Sequence, residues 1–411
     1  MKVLLRWPIR SLFFGLLIAC GCETSVGPGS HLDITPNGKF IVWTREKHTF
    51  RPMGAEARLV KEARYVCWAA ADCPARPAEM LVLQRTVAGY GPEIEDTHLS
   101  VSPDSRHLGV ISGKDILIID MESGEHWSMS PHEAAGSISS FGWLGQDHFG
   151  YVTYTVPRKF WRRSLSDPSQ KPDVIYQDPN VEGSSRSKWP FEYWSPDGRH
   201  VVFEGARGDT QLLSTETGAV RKLSEWSGEL RASWKPDSSA VVWTTSRMRY
   251  GRPGNYSTYM LDLGEGEVVD LSDEFSPMFG IQRPEYEPLW TADGNFLVGS
   301  DLSRGGYLIQ PRPWTVVPIG EILRKEEGLG YAPWIRRQIA SGLVVARSGP
   351  DHTWVMNYAG EVLQDLPSDG VFEWTVFPDG QKAAMLDKDM KIVIKKLDLP
   401  ASERHENRSR R

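Results

Sequence analysis

A recurring Ser-Pro-Asp-Gly phrase, the spacing of its copies and the β-branched run after them predict an all-β fold. The architecture expected is a β-propeller of four-stranded antiparallel blades. The fullest copy is Trp194-Ser195-Pro196-Asp197-Gly198-Arg199-His200-Val201-Val202-Phe203. Others begin at Ile34, Val101, Trp234, Trp290 and Phe377, and degenerate copies, Trp143 to Asp147 and Trp334 to Arg336, fill the wide gaps. Anchored at positions 36, 103, 145, 196, 236, 292, 336 and 378, the copies are 67, 42, 51, 40, 56, 44 and 42 residues apart, the length of a propeller blade. Eight anchors predict eight blades. Seven is the alternative, with one degenerate copy misread.

At the amino end, Lys2, Arg6 and Arg10 precede the apolar run Leu12 to Ala19, which is too short to span a bilayer and reads as a signal peptide over 1–19. Leu17-Ile18-Ala19-Cys20 resembles the bacterial lipobox, so Cys20 is the expected lipidation site and 20–30 a lipidated linker. An ordinary signal peptide with a coincidental Cys is the other reading. Gly21, rather than Asp, after Cys20 implies an outer-membrane lipoprotein facing the periplasm. Beyond residue 20 nothing is apolar enough to cross a membrane, which leaves the acyl chains as the expected anchor.

Within each repeat, Ser at i, Pro at i+1, Asp at i+2 and Gly at i+3 suit a type I turn followed by a left-handed residue. A strand such as Ile116 to Asp120, a turn such as Glu122 to Glu125 and a short fourth strand complete a meander of strands A to D. Such a blade leaves an apolar face that only its neighbour can cover. The eighth repeat offers Lys382 to Asp387 and Lys391 to Leu397 as strands B and C, with no obvious strand D before the polar tail 400–411. The Trp residues before the turns, at 143, 194, 234, 290 and 334 with Trp374 close by, are expected to fill the wedges between blades. His107, His148 and His200 lack partners at metal-ligand spacing. In an exported chain, Cys67 and Cys73 are expected to form a small disulfide loop, with free thiols as the alternative.

The Ser/Thr-Pro-Asp/Asn-Gly-Lys/Arg copies with their β-branched strands resemble the TolB-type β-propeller repeat, over about residues 31–399. The resemblance implies a propeller; the repeat serves binding scaffolds and enzyme gates alike. The α/β domain that precedes the propeller in TolB is not found here. No Gly-x-Ser-x-Gly elbow occurs, which disfavours a serine peptidase.

In 411 residues, 47 Lys and Arg against 53 Asp and Glu give a net charge of -6 and no basic footprint for nucleic acid. Because A–B and C–D turns share one face of a meander ring, the long B–C connections (Arg45 to Lys61, Ser246 to Ser257) and the long D–A connections share the other. That face is the expected binding surface. Arg247, Arg249, Tyr250, Arg252 and Tyr256 interleave the residue types that anchor interfaces, and Arg45, Lys47, His48 and Arg51 add charge. Asp96, His98, Glu192 and Glu287, with Glu229, Glu285 and Glu373, are expected at the mouth of the central channel. The function expected is a scaffold for a protein or peptide partner of the cell envelope, with no cofactor or metal. The alternatives are an enzyme acting on a small molecule or glycan at the acidic mouth, and a purely structural envelope component.

Overall fold

In the computed structural model, the Pro-Asp-Gly phrases close tight hairpins. The described residues run from 23 to 399 with interruptions, the longest at 87–98, 131–137, 179–191, 272–287 and 323–333. The amide of Gly198 donates to the Ser195 carbonyl at 2.8 Å, that of Gly38 to Thr35 at 2.7 Å and that of Gly380 to Phe377 at 2.8 Å. These glycines have φ of 73°, 71° and 69°, the left-handed conformation the phrase calls for. Asp197 completes its turn by accepting from Ser195 Oγ at 2.7 Å and from the Arg199 amide at 3.0 Å.

Around these turns the chain builds one meander after another. Blade 1 is β1 (Glu23–Ile34), β2 (Phe40–Met53), β3 (Glu56–Ala70) and β4 (Ala78–Thr86); blade 2 is β5 (Leu99–Val101), β6 (His107–Ser112), β7 (Asp115–Asp120) and β8 (His126–Met129). Blade 3 is β9 (Ile138–Leu144), β10 (His148–Thr153), β11 (Lys159–Ser164) and β12 (Asp173–Gln177); blade 4 is β13 (Glu192–Trp194), β14 (His200–Glu204), β15 (Thr210–Ser214) and β16 (Val220–Ser224). Blade 5 is β17 (Arg231–Trp234), β18 (Ala240–Arg249), β19 (Arg252–Asp262) and β20 (Val268–Asp270); blade 6 is β21 (Leu289–Trp290), β22 (Phe296–Gly299), β23 (Gly306–Gln310) and β24 (Thr315–Val317). Blade 7 is β25 (Trp334–Ala340), β26 (Leu343–Ser348), β27 (His352–Asn357) and β28 (Val362–Leu366), and the last sheet is β29 (Val371–Val376), β30 (Lys382–Asp387) and β31 (Ile392–Lys396). Seven sheets thus have four antiparallel strands, and the last has three among the described residues.

The ring closes through side chains. Leu32, Ile34, Ile41 and Trp43 of blade 1 share one core with Phe377, Ala384, Leu386 and Ile392 of the last sheet. Equivalent cores lie between other neighbours, as where Leu297 and Leu308 of blade 6 meet Trp354 and Met356 of blade 7. The recurring Trp residues serve these seams. Trp194 donates its indole N–H to Ser140 Oγ of blade 3 at 3.3 Å, Trp234 to the Tyr193 carbonyl of blade 4 at 2.9 Å, and Trp290 to the Ser233 carbonyl of blade 5 at 2.9 Å. Trp143, Trp234, Trp290 and Trp374 are buried as expected, whereas Trp194 is half-buried; the side chain of Trp334 lies outside the described residues.

At the turn face, the fourth turn residue of one blade leans on the turn before it. Gly38 lies against Pro378 and Gly198 against the main chain of Trp143 and Leu144. In two blades Ser takes this place at φ of 60° and 63°. Ser105 Oγ accepts from the Asn37 amide of blade 1 at 3.3 Å, and Ser238 Oγ from the Asp197 amide of blade 4 at 3.0 Å.

Four expectations need correction. Residues 23–30, read as linker, belong to β1, where Glu23 pairs with Phe50 and Pro28 with Arg45. The anchor at 336 falls inside β25, and the A–B connection of blade 7 is 341–342. The two long B–C connections are paired strands rather than loops. Finally, Cys67 and Cys73 are free thiols. Cys67 sits within β3 opposite Trp43 and faces the closure core, where burial above all pushes its thiol up to about 12. Cys73 lies exposed in the turn after that strand.

Candidate functional site

The B–C and D–A ends of the blades form the face opposite the tight turns, and two B–C hairpins rise from it. In blade 1, β2 and β3 stay paired from Phe40 with Ala70 out to Met53 with Glu56; in blade 5, β18 and β19 pair from Ala240 with Asp262 out to Arg249 with Arg252. Their B strands have 14 and 10 residues, against 6 in β6 and β10. At about 3.3 Å per residue, the first arm stands roughly 26 Å and the second roughly 13 Å beyond those strands. With seven four-stranded blades and the three-stranded last sheet in succession, blades 1 and 5 stand about half a turn apart, so the arms flank the channel from opposite sides.

The expected binding residues divide accordingly. Arg247 and Arg249 lie on β18, and Arg252 and Tyr256 on β19, with Tyr256 paired to Ser246. Tyr250 lies outside the described residues, as do Asp96, His98, Glu229, Glu285, Glu287 and Cys20. Glu373 is half-buried on β29. Toward the turn face the channel opens into a cavity of about 680 Å³, lined among others by Phe141, Trp143, Trp194 and Trp234 with Pro103 and Pro196.

Glu192 is among the residues lining this cavity, but its carboxylate is not exposed there. Its side chain is fully buried between blades 3 and 4, where Oε2 accepts from Ser139 Oγ at 3.0 Å and Oε1 lies 3.5 Å from Arg158 Nη1. Arg158, just ahead of β11, donates through Nη2 to Asp178 Oδ2 at 3.1 Å and to the Glu204 carbonyl at 2.5 Å. Its guanidinium also lies 5.0 Å from the centre of the Phe203 ring. Burial raises Glu192 above the ordinary carboxylate range, with Arg158 opposing. Burial likewise pushes Glu204 up to about 7, aided by Asp209 and Glu192 and opposed by Arg158. Arg158, Asp178, Glu204 and Asp209 did not stand out in the sequence. Their one common signal is position: each is at or next to a strand end on the same face of blades 3 and 4.

This cluster joins two blades. Among the described residues, no group of three or more His, Cys, Asp or Glu is placed to hold a metal ion. No helix among them is long and apolar enough to cross a membrane.

A closed succession of antiparallel four-stranded sheets, with their A strands innermost, defines a β-propeller. No family model matches the chain, and no curated protein does. Among solved structures, it is similar to the tricorn protease at 12% identity and a TM-score of 0.46, over 90% of this chain and 42% of that one. The chain therefore spans less than half the length of that protein. It is also similar to the Cps50 (Swd1) β-propeller domain of Myceliophteria thermophila, at 11% identity and a TM-score of 0.45, over 92% of this chain and 100% of that one. A structure described as the eukaryotic initiation factor matches at 11% identity and a TM-score of 0.47, over 83% and 78% of the two chains.

Proposed function

We propose that the chain is a TolB-like propeller lipoprotein of the outer membrane, facing the periplasm, that holds a protein or peptide partner of the cell envelope at the face bearing the two arms. The observation that carries this reading is the one-sided extension of blades 1 and 5, since a ring needs neither arm to close its core. The blade 5 arm brings Arg247, Arg249, Arg252 and Tyr256 onto one hairpin, and Arg and Tyr are the residue types most often found as interface anchors. The enzymatic alternative drew on the mouth carboxylates and His98; of these, Glu192 has its carboxylate engaged by Arg158 and Ser139.

Replacing Arg247, Arg249, Arg252 and Tyr256 together with Ala is expected to weaken partner capture from envelope extracts by more than about 2 kcal/mol while leaving the thermal midpoint nearly unchanged. Arg199→Ala, on the opposite face, is expected to do neither. Loss of capture in the control and its retention in the arm variant would place the binding surface on the wrong side. The anchor is tested separately: mass spectrometry of the mature protein should find an acylated Cys20 at the amino end, and an unmodified terminus elsewhere would remove the lipoprotein assignment.

A further inference from the structure

We propose that the blade 1 arm rests on anionic membrane headgroups, a protein–lipid contact in addition to the acyl anchor. Strand β1 begins at the far end of this arm: Glu23 pairs with Phe50, three positions short of the last pair, Met53 with Glu56. Cys20, three residues before Glu23, is therefore tethered within about 10 Å of Glu23, and within about 20 Å of the arm's far end, by chain length alone. That proximity rests on the lipoprotein reading; the contact itself is testable without it.

The charge of the arm fits such a surface. Residues 45–64 hold six Lys or Arg and three Glu, in a chain whose net charge is -6. Two of the six cations are engaged near the ring, Arg45 with Glu79 at 2.6 Å and Arg64 with Glu46 at 2.8 Å. Farther out, Lys47, Arg51, Arg58 and Lys61 share the hairpin with Phe50, Pro52, Met53 and Leu59. Cations gain from an anionic leaflet, by about fivefold in affinity for each Lys or Arg close to it. Aromatic and aliphatic residues among cations suit the boundary between headgroups and acyl chains. The blade 5 arm reaches roughly half as far beyond the ring strands. With the taller arm on the membrane, the shorter one stands clear of it and remains available to a protein partner.

The test uses the mature chain with Cys20→Ser, exported behind a leader that is cleaved without lipidation. It is sedimented with vesicles of phosphatidylcholine alone or of phosphatidylcholine mixed with phosphatidylglycerol. Binding is expected only to the anionic vesicles, and to fade as salt is raised. Lys47→Glu, Arg51→Glu, Arg58→Glu and Lys61→Glu together should weaken it at least about tenfold, and Gln at the same four positions less so. Arg249→Glu with Arg252→Glu should leave it within about twofold, because the shorter arm does not reach the surface. Equal binding to both vesicles, no binding at all, or loss through the blade 5 variant alone would overturn the proposal. If the blade 1 variant lost protein capture while vesicles had never bound, that arm would be a protein contact, and the scaffold reading would stand without this one. Vesicle binding that persists beside capture untouched by blade 5 changes would leave this proposal intact and remove the assigned protein-binding site.

Discussion

One guanidinium, that of Arg158, sits in a cluster with four carboxylates, and the excess of acid sets how the blade 3–blade 4 seam responds to pH. The Glu204 carboxyl moves from its ordinary 4.5 to about 7 on folding, so between those values the folded chain holds a proton that the unfolded chain has released. Stability from this group is fully present below about pH 4.5, falls as pH rises through 7 and levels off above it. Removing that linkage with Glu204→Gln should raise stability at pH 8 by about 2 kcal/mol and change it little at pH 5, as read by urea unfolding. A wild-type protein that gained stability over this interval relative to the variant would contradict the assignment. Nothing in the sequence points to this cluster, because positions 158, 178, 192, 204 and 209 have no fixed spacing. They meet only once two blades are packed, which is also why the pairing of Glu192 with Arg158 was not foreseen.

At the scale of the element, the turn phrase was legible because its chemistry is local: Pro presets one φ, Asp bonds the turn, and Gly supplies the left-handed residue. The arms were not. Pro52, Gly54, Gly251 and Pro253 read as loop signals, and the arm sequences show no sustained alternation of apolar and polar residues. Yet the ladders run on past the ring, with Pro52 opposite Ala57 and Pro253 opposite Met248, each hairpin continuing a register already set in its blade. Glycine at the turns can be divided by experiment into a local and an inter-blade part. A Cβ at Gly198 would stand 2.1 Å from the Trp143 carbonyl oxygen, whereas one at Gly124, with nearly the same positive φ, would meet nothing within 4 Å. Gly124→Ala should cost about 1 kcal/mol from backbone strain alone, and Gly198→Ala at least about 3 kcal/mol, by thermal or chemical unfolding. Equal costs would mean that the turns do not brace one another.

For the whole molecule, repeat spacing located the sheets but overcounted the four-stranded blades, seven among the described residues rather than eight, and the manner of closure was not readable, since no motif marks which residues meet across the ends of a chain. Leu386, 1% exposed, lies in the closing core, and Leu308, 0% exposed, lies between blades 6 and 7. If the three-stranded sheet is a full member of the ring, Leu386→Ala and Leu308→Ala should each cost about 2 to 5 kcal/mol and leave a single cooperative transition. A much smaller cost at Leu386, or a separate early transition, would show the last sheet to be loosely held.

The strand that opens the chain also decides how the molecule bears a load. Tension entering at residue 23 runs along β1, whose ladder with β2 extends from Glu23 opposite Phe50 to Ile34 opposite Ile41. Pulled lengthwise, those cross-strand bonds are strained in parallel and must slip together. Pulled from the other end, at Leu399, the chain would load the shorter ladder of β31 with β30, from Ile392 opposite Leu386 to Lys396 opposite Lys382. Nine pairs at the amino end against five at the carboxyl end make the ring mechanically polar, firmest on the side from which a tethered protein would hang.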